Sequence, residues 1–167
     1  MTRRRSIDEW WDLERQHWPE SAARTRPPIP ALYRVHEQLF ELYRETLKPF
    51  GIQPGDCEVL SALRMHGPPY QLTPTELYRS LLFSSGGLTK VLKRLEQLTL
   101  VERAPNPEDR RSALVRLSVK GKATVEAAMD KVLDAEHSYM SALDDRQQEE
   151  LGHLLAFLLK GSSPPRA

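Results

Sequence analysis

The chain has 167 residues, with 24 Lys and Arg against 23 Asp and Glu and a net charge of +1. That length suits one domain with a real core, and the near-neutral balance excludes a uniformly basic, histone-like nucleic-acid binder. No apolar run reaches the length of a membrane span, and Met1-Thr2-Arg3-Arg4-Arg5-Ser6 leads into Ile7-Asp8-Glu9-Trp10 rather than an apolar signal core, so a soluble, cytoplasmic protein is expected, with no membrane partner.

Ile7, Trp10, Trp11, Leu13, Glu14 and Trp18 recur at helical spacing before Pro19, which predicts an accessory N-terminal helix over 6–18. The segment 20–30, carrying Ser21, Pro27, Pro28 and Pro30, reads as an irregular linker. A long amphipathic helix follows over 31–48, with Leu32, Val35, Leu39, Leu42, Tyr43 and Leu47 on one stripe and Pro49 and Gly51 as its stop. The next helix begins near Pro54, carries Val59, Leu60 and Leu63, and ends before Gly67-Pro68-Pro69. Thr73-Pro74-Thr75-Glu76 is the strongest helix start: Thr73 caps, Pro74 suits the first turn, and Glu76 reaches back to the cap amide.

That short helix, with Leu77 and Leu81, gives way at Phe83-Ser84-Ser85 to a second one whose apolar stripe is Leu88, Leu92, Leu95 and Leu98. The stripe turns Ser85, Thr89, Lys90, Lys93 and Gln97 outward, a small, polar, cationic face of the kind that enters a DNA major groove. Two short helices joined by a polar turn make a helix-turn-helix. The β-like segments 100–103 and 113–117, separated by Asn106-Pro107-Glu108-Asp109-Arg110-Arg111-Ser112, read as a hairpin, and a hairpin directly after a recognition helix is a wing. Ser118 caps a long helix to about Leu143, and Asp144 or Asp145 caps a last one with Leu151, Leu154, Leu155, Leu158 and Leu159. The predicted fold is therefore mainly α with a small β-hairpin wing: an accessory helix and linker over 1–30, dimerisation helices over 31–49 and 119–160, a winged helix-turn-helix over 54–118, and a flexible tail over 161–167, all in one compact domain.

Charge is segregated along this order. Between Gly86 and Lys120 stand eight basic residues (Lys90, Lys93, Arg94, Arg103, Arg110, Arg111, Arg116, Lys120) against four acidic ones, and from Gly121 to Lys160 the balance reverses. Thr89 and Lys90 are the candidates for base edges, Lys93 and Arg94 for phosphates, and Ser84 and Ser85 for helix caps that also meet a phosphate. Arg110 belongs to the same basic turn. Asp109 can hold Arg111 at the hairpin tip, from where an arginine enters a narrow minor groove. The plain alternative is a solvated helix face and an exposed Asp–Arg pair.

The order of elements, together with Ser84-Ser85-Gly86-Gly87-Leu88-Thr89, Arg94-Leu95-Glu96, Leu100-Val101-Glu102-Arg103, Asp109-Arg110-Arg111-Ser112 and Val115-Arg116-Leu117-Ser118 with Gly121, resembles the MarR family of winged helix-turn-helix transcription regulators. The Trp-rich first helix and the run from Gly67 to Pro74 are similar to its PecS/TamR-like branch, whose members answer to urate or other small anionic metabolites. Glu58 stands where that branch carries Asp, and Lys90-Val91 where it carries Asn-Arg. Loss of that arginine removes a fixed cation that would hold an anion. The resemblance implies a homodimer on a palindromic double-stranded DNA operator, a ligand-responsive regulator of the repressor kind with a small anionic or aromatic effector, and an effector pocket among Trp10, Trp11, Trp18, Tyr33, His36, Glu58, Arg64 and Met65. Each of these is also a plausible packing residue.

Two other classes stay open. Cys57, the single cysteine, fits a thiol switch answering to oxidants, and a winged helix can bind protein instead of DNA. An enzyme is the class with least support, since His17, His36, His66, His137 and His153 are scattered without metal-ligand spacing and no phosphate loop or nucleophile motif is present. No cofactor and no metal are expected.

Overall fold

The computed structural model describes residues 5–81, 85–107 and 112–161. The chain divides into two compact units, one up to Glu45 and one from Thr46 onward.

The first unit is built of helices. α1 (Ile7–His17) starts at Ser6, whose hydroxyl accepts the Glu9 amide at 3.1 Å while the Glu9 carboxylate accepts the Ser6 amide at 2.7 Å. The stretch expected to be irregular contains a helical turn, α2 (Pro19–Ala22). Pro19 is preset for a first turn, and Glu14 Oε1 accepts the hydroxyls of Ser21 at 2.8 Å and Thr25 at 3.1 Å, tying this turn back to α1. α3 (Pro28–Leu47) begins three residues earlier than expected, because Pro28 and Pro30 fall in the first turn, where amide hydrogens have no helical acceptor to lose. No residue of α1 or α2 is buried.

The second unit holds the core. After a 3₁₀ turn at Lys48–Phe50, Gly51 takes a left-handed φ of 68° that reverses the chain into α4 (Pro54–Met65). There follow β1 (Gln71–Leu72), α5 (Pro74–Ser80), α6 (Ser85–Gln97), β2 (Val101–Pro105), β3 (Ala113–Leu117), α7 (Val119–Met140) and α8 (Asp145–Gly161). Leu60 and Leu63 from α4, Leu77 from α5, Leu92 and Leu95 from α6, Val115 from β3 and Val125 from α7 are all buried. Val91 joins the α6 stripe inside.

The hairpin predicted as a wing is present, and β3 takes a further strand on its other edge, giving the antiparallel order β1-β3-β2. β1 has two residues, too few for an alternating pattern to register in the sequence. It is delivered by Gly67 and Tyr70, both at positive φ, and continued by the Leu117 amide, which donates to the Tyr70 carbonyl at 2.9 Å.

α7 is seated on the end of α6. Ser118 Oγ accepts the Gly121 amide at 2.8 Å and donates toward the Thr99 carbonyl, also at 2.8 Å, while Lys120 Nζ donates to the Leu98 carbonyl at 2.9 Å. Glycine is required at 121, since a Cβ there would stand 1.9 Å from the Leu100 carbonyl oxygen. α7 ends at Met140, three residues short of expectation. α8 has no buried residue, and Leu154, Phe157, Leu158 and Leu159 on it are each more than half exposed. Among the described residues, no helix is long and apolar enough to cross a membrane.

Candidate nucleic-acid interface

The helix-turn-helix is anchored at its first helix. Thr73 Oγ1 accepts the Glu76 amide at 3.1 Å, and Glu76 Oε2 accepts both the Thr73 amide and its hydroxyl at 2.7 Å. Those bonds from the Thr73 hydroxyl and amide hold the Glu76 carboxyl below its ordinary pKa. Leu77 buries the inner face of α5. α6 then presents Thr89, Lys90, Lys93 and Gln97 as exposed residues opposite its buried stripe.

Ion pairing thins the basic block. Arg103 binds Glu96, Arg116 Nε binds Glu102 Oε1 at 2.7 Å across the hairpin, and Lys120 serves the end of α6. Arg94, expected to reach a phosphate, is turned the other way: its Nε and Nη2 donate to Asp56 Oδ1 at 2.9 and 2.6 Å, and its Nη1 donates to Gln53. A fully buried carboxylate thus holds the guanidinium in the chain without DNA. Of the six cations of the block that are described, Lys90 and Lys93 have no partner among the described residues. Arg79, outside that block, is exposed at the end of α5.

The hairpin is closed at its base by Asn106 Nδ2 donating to Ser112 Oγ at 2.8 Å. Ser84, the Ser85 side chain, Asp109, Arg110 and Arg111 lie outside the described residues.

The MarR-family model matches residues 50–112, which run from the end of the 3₁₀ turn to the residue before β3. The HTH-type transcriptional regulator PecS of Dickeya dadantii is 29% identical over 125 residues, 75% of this chain and 69% of that protein. An uncharacterized HTH-type transcriptional regulator of Bacillus subtilis, YwoH, is 31% identical over 70% of this chain and 82% of its own length. The crystal structure of a MarR mutant from E. coli complexed with operator DNA superposes with a TM-score of 0.70 at 30% identity, covering 89% of this chain and 99% of that one. The chain belongs to the MarR family.

The residues expected to line an effector pocket in this MarR-family chain belong to both units. Trp10 and Tyr33 share a hollow of about 210 Å³ in the first unit with Ile7, Pro30, Arg34 and Glu37. Arg34 and Glu37 also line a larger cavity of about 750 Å³, which Arg5 and Arg44 make cationic and Glu41 partly offsets. Trp11 meets Trp10 edge to face at 5.2 Å, His36 stacks on Phe40, and Trp18 lines a separate hollow with Arg24 and Thr25.

Glu58, Arg64 and Met65 sit on α4 in the other unit and line none of these three hollows. Glu58 is half-buried, with no partner among the described residues, and burial pushes its carboxyl up. Arg64 donates to Glu126 Oε1 at 2.6 Å and lies over the Tyr70 ring, so it secures α7 and the chain leading into β1. Its hydrogen bond in turn pulls the Glu126 carboxyl down. Met65 is 80% exposed. Cys57 is buried, its Sγ 3.7 Å from Met129 Sδ and 3.9 Å from Ser61 Oγ. Among the described residues, no group of His, Cys, Asp and Glu is arranged to hold a metal ion.

Proposed function

We propose that this chain is a sequence-specific transcription regulator that binds double-stranded DNA and has no enzymatic activity. The observation that carries the reading is the outer face of α6. In a block whose other described cations are engaged, Lys90 and Lys93 stand exposed and without a partner among the described residues, beside Thr89, on a helix whose opposite side is locked in the core. Unpaired cations next to a small polar side chain suit a groove rimmed by phosphates. The family member solved with operator DNA supports the same assignment. Ser84, Ser85, Arg110 and Arg111, with Asp109 orienting Arg111, complete the contact set by their places in the sequence.

The regulator acts as a homodimer in the cytoplasm. A single helix-turn-helix reads only a half-site, so a palindrome calls for two copies. Exposed Leu154, Phe157, Leu158 and Leu159 on α8, Leu133 on α7, and Ile29, Tyr33, Val35 and Phe40 on α3 supply apolar surface for such an interface.

The effector is a small anion with an aromatic ring, and its binding releases the DNA, which makes the protein a ligand-responsive repressor. Trp10 and Tyr33 beside Arg34 offer a ring surface and a guanidinium that has no partner among the described residues. The oxidant-responsive alternative is less favoured, because the Cys57 thiol is buried against α7 and an oxidant reaches it only if α4 and α7 part.

The test is binding to a random-sequence duplex across a salt series. Replacing Lys90 and Lys93 together by Ala is expected to reduce the slope of log affinity against log salt by about 1.8, since each phosphate contact contributes about 0.9. An unchanged slope removes α6 from the interface. No salt-dependent affinity at all in the wild-type protein would favour a protein-binding winged helix.

A further inference from the structure

Asp56 is the one charged residue fully buried among those described, and it sits on α4, which packs against the inner side of α6. Its two oxygens have separate tasks. Oδ2 accepts the Gln53 amide at 2.9 Å and so closes the start of α4, while Oδ1 takes two prongs of the Arg94 guanidinium. The third prong goes to the Gln53 side chain. Arg94 is thereby held at every nitrogen, although its side chain is still 34% exposed.

The location of Arg94 gives this pairing its consequence. Residues three and four apart on a helix are neighbours, so Arg94 lies on the flank of α6 that also carries Lys90 and Gln97, next to Lys93. A guanidinium there, free of its carboxylate, would be a third phosphate-seeking cation on the DNA face. A buried ion pair is poor at adding stability compared with an apolar pair of the same volume. Its presence here calls for another reason.

We propose that Asp56 is a positioning residue for DNA recognition: it withdraws Arg94 from the phosphates and fixes α6 against α4, so that binding depends on the sequence-reading face and less on sequence-independent charge. The inference rests on the DNA-binding reading above. Asp56→Asn keeps an oxygen for the Gln53 amide and removes the charge that holds Arg94, which is already part-exposed and can turn outward.

The experiment measures affinity for two probes, a short random-sequence duplex and a duplex enriched from a randomised pool by the wild-type protein, with thermal melting as the check on folding. Asp56→Asn should steepen the salt slope on random duplex by about 0.9, so that the affinity lost between roughly 50 and 200 mM salt grows about 3.5-fold. Its discrimination between the two probes should fall. Arg94→Gln should leave the slope at the wild-type value, and the double variant Asp56→Asn/Arg94→Gln should lose the steepening.

A folded Asp56→Asn protein with unchanged slope overturns the proposal, as does a parallel loss of affinity for both probes, which is the mark of a merely structural pair. If Asp56→Asn does not fold, Arg94→Gln decides: a slope lower than wild type by about 0.9 would mean that Arg94 already binds phosphate. Failure of the DNA reading itself is seen separately, in the wild-type protein having no salt-dependent affinity for either duplex.

Discussion

α6 and α8 are amphipathic helices of similar size, 13 and 17 residues, and they end in opposite conditions. α6 buries Leu88, Val91, Leu92 and Leu95 against α4 and the sheet, its end is held by Ser118 and Lys120, and its outer face is left for a ligand. α8 has no fully buried residue, and Leu154, Phe157, Leu158 and Leu159 on it are exposed. The reading head is finished within one chain, whereas the C-terminal helix is finished only by another surface. Core packing therefore governs whether the head folds, and association governs what α8 contributes.

The sharpest way to break this contrast is to cut each helix at its apolar face. Leu95→Ala should cost about 2–5 kcal/mol in denaturant melts, because a fully buried side chain leaves a cavity. Phe157→Asp should instead halve the molar mass in light scattering, and a wild-type protein that is already monomeric at micromolar concentration would remove the role given to α8. Gly121→Ala tests the seat of α7 on α6: a Cβ 1.9 Å from a backbone oxygen forces the two apart, and a loss of at least about 1–3 kcal/mol is expected.

A smaller effect is expected at the cap of α5. Thr73→Ala should cost about 1 kcal/mol at neutral pH. Because Thr73 lowers the folded-state pKa of Glu76, the stability it lends is present above the ordinary carboxylate pKa and is lost as pH falls through the folded one. The difference between wild type and variant should therefore shrink in acid, and a difference independent of pH would count against the Glu76 linkage.

The smallest effect is at Glu58, whose folded pKa is raised by burial. Its charge opposes folding above the ordinary carboxylate pKa and has no effect below it. Glu58→Gln should raise the melting temperature slightly at neutral pH and leave it unchanged in acid. A fall at neutral pH would mean that the carboxylate has a partner.

Much of the head could be read from the chain alone, because the signals are local. The Thr73–Glu76 capping box, the Ser118 cap and the stripe on α6 each involve residues within a turn or two of one another, and all three are found in the structure. The family motifs around α6 and the wing are equally local. β1 was missed because two residues cannot establish a period, and α2 because Pro19 was read as a break when it opens a turn.

The candidate site was legible in outline only. Sequence determined which cations lie near α6 and which way its apolar stripe faces, since both follow from a 3.6-residue period and from composition. Tertiary structure decided which of those cations are still available. Arg94 and Asp56 are 38 residues apart, and Arg116 and Glu102 meet only because β2 and β3 pair in their particular register. An ion pair depends on distance in space, which falls steeply to contact only once helices and strands are packed. Among the described residues, the same charge count therefore leaves Lys90 and Lys93 on α6 without an ion-pair partner.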